Sequence, residues 1–152
     1  METSTPVRLE FASLRSGWLR GTLTLGAERV PLLASYLEDT PSMLVEAATR
    51  SLAGRASRVL WVEEPGSKIW DLEPLGPKLR LDIHRCSTPW PPSDWVGENG
   101  ESYLVSTVAL SRAILRAMDE LGATFRTGEY ASRERWGKPF PVQQLAVLRA
   151  AS

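Results

Sequence analysis

The stretch SRVLWVEEPGSKIWDL, Ser57 to Leu72, decides the fold. Pro65-Gly66 is a type II turn pair. The runs on either side, Ser57 to Glu64 and Ser67 to Glu73, are rich in aromatic and branched residues and read as two strands of a hairpin. Pairing Glu64 with Ser67 sets a register in which Glu63 faces Lys68, Trp61 faces Trp70 and Val59 faces Leu72. Opposite-charge and aromatic pairs of this kind each contribute roughly 0.2–1 kcal/mol. Leu75-Gly76-Pro77 then turns the chain. Beyond it Leu79, Leu81 and Ile83 alternate with Arg80, Asp82 and His84, the period of a half-buried strand.

The same period appears at the start of the chain. Val7, Leu9 and Phe11 alternate with Arg8, Glu10 and Ala12. Ser16-Gly17 turns into a second strand that places Leu19, Leu23 and Leu25 on one face, and Gly26-Ala27 suits a tight hairpin. A third strand runs from Arg29 to Ala34. Pro31 offers no N–H to a ladder and predicts an edge position. Thr40 as N-cap, Pro41 at N1 and Gly54 as stop signal bracket a helix whose Leu44, Ala48 and Leu52 form one stripe.

After Ile83 comes a segment of another character. Ser87 to Gly100 holds Pro89, Trp90, Pro91, Pro92, Asp94, Trp95, Gly97 and Glu98. Three prolines exclude a ladder strand or a helix interior. Connections of this length without regular structure are often functional. Glu101 to Ser106 reads as a last strand, followed by a helix from Thr107 to Gly122 with Leu110, Ile114, Ala117, Met118 and Leu121 buried. An aromatic, basic segment from Phe125 to Pro141 leads to a short helix from Pro141 to Ala151. The expectation is one α+β domain, 1–152, in the order βββ-α-βββ(β)-α-α. Its six or seven strands would form one mostly antiparallel sheet with the helices on one face.

Composition narrows the function classes. Eighteen basic and eighteen acidic residues give a formal net charge of zero. A nucleic-acid binder carries a basic excess to meet phosphate, so nucleic acid is not an expected partner. No apolar run reaches the roughly 20 residues that span a bilayer, so no membrane is expected either. Met1 to Pro6 lacks the basic and apolar regions of a secretory signal. With Cys86 as the single cysteine, a cytoplasmic location is expected.

The catalytic and cofactor motifs are missing. There is no Gly-x-Gly-x-x-Gly, no phosphate-binding Gly-x-x-x-x-Gly-Lys-Ser/Thr and no Gly-x-Ser-x-Gly. His84 and Cys86, two apart on a strand, point to one side. They supply at most two of the four ligands of a structural zinc site, so no metal and no cofactor are expected. Glu63-Glu64 point to opposite faces, and Glu38-Asp39 suit a helix N-terminus.

Six tryptophans stand out. Trp61 and Trp70 are a cross-strand pair, and Trp18 and Trp136 belong to the rim of the core. Trp90 and Trp95 lie in the proline-rich loop, where they either fold back as a lid over the sheet or offer a partner surface. Aromatic side chains on a stiff loop lose little conformational entropy on binding. Asp94, Glu98 and Glu101 make the loop acidic, with no basic residue from Ser87 to Glu101. That charge favours a basic partner, and the basic run Arg126 to Lys138 is an internal candidate.

The stretches Ser35-Tyr36-Leu37-Glu38-Asp39, Trp61-Val62-Glu63-Glu64-Pro65-Gly66 and Arg135-Trp136-Gly137-Lys138-Pro139-Phe140-Pro141 resemble those of small bacterial α+β proteins. In size and style the chain resembles the immunity proteins of polymorphic toxin systems. That resemblance implies a protein that blocks a toxin by binding it, and it transfers no functional residue. The reading is therefore a non-catalytic protein binder with Trp90, Asp94, Trp95 and Glu98 as the contact surface. A small-ligand binder with an aromatic pocket is one alternative. A small enzyme using Asp82, His84 and an arginine is the other.

Overall fold

The structure is a computed structural model that describes residues 5–97 and 100–152. Among these the chain forms β1 (Val7–Arg15), β2 (Trp18–Leu25), β3 (Glu28–Ser35), α1 (Thr40–Leu52), β4 (Ser57–Val62), β5 (Ser67–Leu75), β6 (Lys78–Cys86), β7 (Glu101–Ser106), α2 (Thr107–Thr124), α3 (Thr127–Tyr130) and α4 (Val142–Ala151). The α+β class is the one expected; the element order follows expectation except for an added short helix, α3, within the 125–141 segment. The single expected sheet is not found. β1-β2-β3 form one antiparallel sheet and β4-β5-β6-β7 a second.

The break falls between β3 and β4. At β3 the Pro31 carbonyl accepts the Lys68 ammonium at 2.9 Å from across the inter-sheet space, and Tyr103 donates its hydroxyl to Glu28 at 2.8 Å. Side chains from the second sheet thus close the outer side of β3, where Pro31 has no N–H to give. The helices also depart from the expected single face. α1 leaves the three-stranded sheet and packs on β4 and β5, whereas α2 leaves the four-stranded sheet and packs on β1. The two helices pack on each other, so one apolar cluster joins both sheets.

Local signals explain the elements. Pro41 occupies the first turn of α1, and Gly54 follows its end at φ 75°. Thr40 is the first helical residue, not the cap. Its buried hydroxyl donates to the Leu60 carbonyl of β4 at 2.7 Å, and Asp39 stands at the N-cap. Ser106 caps α2 by accepting from Ala109 N–H at 3.1 Å.

The β4–β5 register differs from expectation by two residues. Val62 pairs with Ser67, Trp61 with Lys68 and Val59 with Trp70. Glu63 and Glu64 are drawn into the turn, where both backbone N–H groups reach the Gly66 carbonyl. A shift of two conserves the faces. Trp61 and Trp70 therefore stay neighbours, on the diagonal, with ring centroids 4.9 Å apart. Lys68 still pairs with Glu63, at 3.5 Å.

Lys68 is only 8% exposed and joins the two sheets. Lys68→Met should cost about 1–3 kcal/mol, because the charged hydrogen bond to Pro31 is lost and the carbonyl is left without it. Urea denaturation measures the loss. A change below about 0.5 kcal/mol, the scale of an inconsequential surface substitution, would remove this contact from the sheet-joining interactions.

Candidate functional site

The four-stranded sheet has two unlike faces. Val59, Trp61, Trp70, Leu72, Leu79, Leu81 and Val105 point to the core. By strand alternation Arg58, Asp71, Glu73, Arg80, Asp82, His84 and Ser102 share the outer face. Val62 and Ile69 also face outward, yet both are fully buried and stand outside the main core cluster. The 87–97 loop reaches across this face to cover it.

Hydrogen bonds trace its path. Ser67 donates its hydroxyl to the Thr88 carbonyl at 2.8 Å. Trp90 Nε1 then reaches Glu38 Oε1 at 2.9 Å, beyond β4 in the turn before α1. Trp95 N–H closes a turn on the Pro92 carbonyl at 2.9 Å. Arg58 Nη2 donates to the Trp95 carbonyl at 3.1 Å, and its guanidinium sits 5.9 Å from the Trp95 ring centroid.

Beneath Trp95 lies a small charged cluster. Arg58 grips Asp71 with two bonds, Nε to Oδ1 at 2.7 Å and Nη2 to Oδ2 at 3.2 Å. His84 Nε2 is 4.0 Å from Asp71 Oδ2, and its ring meets Trp95 edge-on at 5.9 Å. His84 Nδ1 is buried without a hydrogen-bond partner among the described residues. A Cβ at Gly97 or at Gly100 would fall on the imidazole, far inside the ~3.5 Å at which carbon atoms pack. Only glycine lets the loop lie this close. Farther along β6, Arg80 pairs with Glu73 and Asp82, and Ser102 donates to Asp82.

Cys86 neighbours Thr88, with Sγ 3.3 Å from Oγ1. Partial desolvation pushes the thiol up. Hydrogen bonds from the Thr88 and Ser67 side chains and from the backbone outweigh it and leave the thiol below its ordinary value.

The expected contact residues therefore separate. Trp90 is 51% exposed, and Asp94 is exposed. Trp95 is half-buried and belongs to the lid. Glu98 lies outside the described residues. Asp82 and His84 are on one face, but His84 is enclosed by the loop and Asp82 is engaged by Arg80 and Ser102. Trp136, expected at the core rim, is fully buried. The basic segment packs on the β1–β2 turn: Arg135 Nη1 reaches the Leu14 carbonyl at 3.1 Å, and Ser16 N–H donates to the Glu134 carbonyl at 2.8 Å.

No family model, curated protein or solved structure matches this chain. What the site can do rests on its geometry.

Sequence reading misses Arg58, Asp71 and Glu38. Arg58 and Asp71 stand directly opposite each other in the ladder. The register expected from the turn sets Arg58 against Glu73, which hides the pair. Glu38 reads as helix-terminal charge, and no local signal ties it to an indole 52 positions away.

Proposed function

We propose that the protein acts by binding another protein, without catalysis, through the 87–97 loop. The observation that carries this reading is Trp90. It is half exposed, whereas Trp61, Trp70 and Trp136 are fully buried. Its indole N–H is already fixed on Glu38, so the ring is held in one orientation before any partner arrives. A pre-oriented tryptophan at a surface is the kind of anchor around which binding energy concentrates. Asp94, exposed four residues farther along the loop, supplies negative charge for a basic partner. Trp95, seated on His84 and Arg58, is the inner support of the loop, not its contact.

The narrower form of the proposal is an immunity-like inhibitor, whose partner is a toxin. It rests on the resemblance in size and style. The enzyme and small-ligand alternatives are weaker. Among the described residues the loop packs on His84 so tightly that a methyl group at Gly97 or Gly100 would fall on the imidazole, which weighs against a substrate or ligand there.

The test begins with tagged wild-type protein and lysate of the source cells, followed by affinity measurement on the purified complex. Trp90→Ala with Asp94→Ala should weaken binding by about 30-fold or more, the scale of a hot spot, while melting stays nearly unchanged. Leu104→Ala, an exposed apolar change on β7, is the control and should bind as wild type. A complex whose affinity ignores the double variant would overturn the assignment to this loop. If the partner is a toxin, wild type should suppress its activity and the double variant should not.

A further inference from the structure

We infer that β1 is a self-association edge, along which two copies of this chain pair as antiparallel strands about Leu9. β1 hydrogen-bonds to β2 on one side only. At β3, the other edge of the same sheet, the Pro31 carbonyl is taken by Lys68. Along β1 the open stretch has definite ends. It begins with β1 itself at Val7; the Pro6 carbonyl is turned to the β2 side, where it accepts from Gly26 N–H. After it, the register slips between Phe11 and Ser13, and the Leu14 carbonyl is taken by Arg135. Val7 to Phe11 remains, five residues with Leu9 at the centre. Among the described residues no group outside the β1–β2 pair hydrogen-bonds to this backbone.

That stretch is complementary to itself. In a two-fold antiparallel pair centred on Leu9, Leu9 meets Leu9 of the second copy. Val7 then meets Phe11, and Arg8 meets Glu10. Each charged residue faces its opposite, and each apolar residue faces an apolar one. The match falls on the centre of the open stretch, and no other centre within it gives both charge pairs. Arg8 and Glu10 are now paired within one strand, at the surface. In the dimer the two pairs become an alternating row of four charges.

The neighbouring surface supports the same occupant. A cleft of ≈ 480 Å³ runs beside Val7 to Phe11 against α2. On the helix side Ala109 and Ala113 lie among Arg112, Arg116 and Glu120. Val7 and Phe11 are each half-buried, so a second strand bearing the same side chains finds both space and apolar surface. An isologous pair consumes the open edge of both copies, so assembly stops at two. This inference does not depend on the loop reading above.

The test is the mass in solution by sedimentation and light scattering, from about 1 μM to about 1 mM, the range in which weak association is read. The wild type should move from 16.8 kDa to twice that mass. Arg8→Glu should raise the dissociation constant at least about tenfold, because like charges then face each other twice. Glu10→Arg should do the same. An equimolar mixture of the two variants should form a heterodimer. Positions 8 and 10 are then both acidic on one chain and both basic on the other, so every facing pair is again of opposite charge. Circular dichroism and melting verify that both variants are folded. Wild type that stays at 16.8 kDa throughout overturns the proposal. So does a dimer unaffected by Arg8→Glu, or a pair of folded variants that fail to associate on mixing.

Discussion

Trp136→Ala should lower the unfolding free energy by about 3–5 kcal/mol, the range for emptying a large aromatic from a packed core. Trp136 is fully buried, and its indole N–H donates to Asp39 Oδ1 at 3.1 Å. Asp39 also accepts from Ser42 at the head of α1. Beside it Tyr130 is buried, edge-on to Phe140 at 5.0 Å. Burial and then the Asp39 charge push the Tyr130 phenol above its ordinary range. One tryptophan thus ties the irregular 125–141 segment to the first turn of a core helix. Trp136→Phe keeps most of the volume and loses the hydrogen bond, so it should cost about 1–3 kcal/mol. Chemical denaturation separates the two contributions. A loss below about 1 kcal/mol for the alanine variant would mean that this segment unfolds apart from the core.

The placement of Trp136 shows what the sequence carries and what it does not. Local pattern, alternation together with turn residues, locates six or seven strands, because both are properties of short stretches of chain. It cannot say that β3 and β4 belong to different sheets. That depends on Lys68 and Tyr103 reaching across to β3, and on two helices that each pack on the other half's sheet. Trp136 sits among Arg133, Glu134, Arg135 and Lys138, so its neighbours in sequence suggest a surface. Its partner in space is Asp39, at the head of α1. Pro65-Gly66 announces a turn, but the loss of Glu63 and Glu64 to that turn moves the register by two. The faces survive the shift, and the shift is what sets Arg58 opposite Asp71 beneath the loop.

The candidate site follows the same rule. Three prolines and two tryptophans mark Ser87 to Gly100 as a loop of consequence. Whether it stands open or lies as a lid depends on contacts with residues as far as 52 positions away, and the answer divides within the loop. Trp95 is lid, fixed by Arg58 and His84. Trp90 is surface, fixed by Glu38. The lid half determines where the exposed half is held.

That dependence gives the second large effect. Gly97→Ala should lift the loop from the sheet and weaken the proposed partner binding about as strongly as removal of Trp90, although residue 97 carries no contact side chain of its own. The added Cβ falls on the His84 ring. The His84 backbone is held by its pairing with Ile69 of β5, whereas residues 95–97 lie outside any ladder, so the loop has to give. Overpacking of this kind costs about 1–3 kcal/mol. Lifting the loop also exposes Val62 and Ile69, which are now fully buried. His84→Ala removes the obstructing ring and leaves only the Cβ. The cost of Gly97→Ala should therefore shrink in that background, with a coupling of about 0.5–3 kcal/mol in a double-mutant cycle. His84 is the single histidine of the chain, so its imidazole resonances report the loop directly. They should shift toward solvent-exposed values in Gly97→Ala. Unchanged resonances together with additive stabilities would show that the loop does not rest on His84, and the pre-orientation of Trp90 would then depend on Glu38 alone.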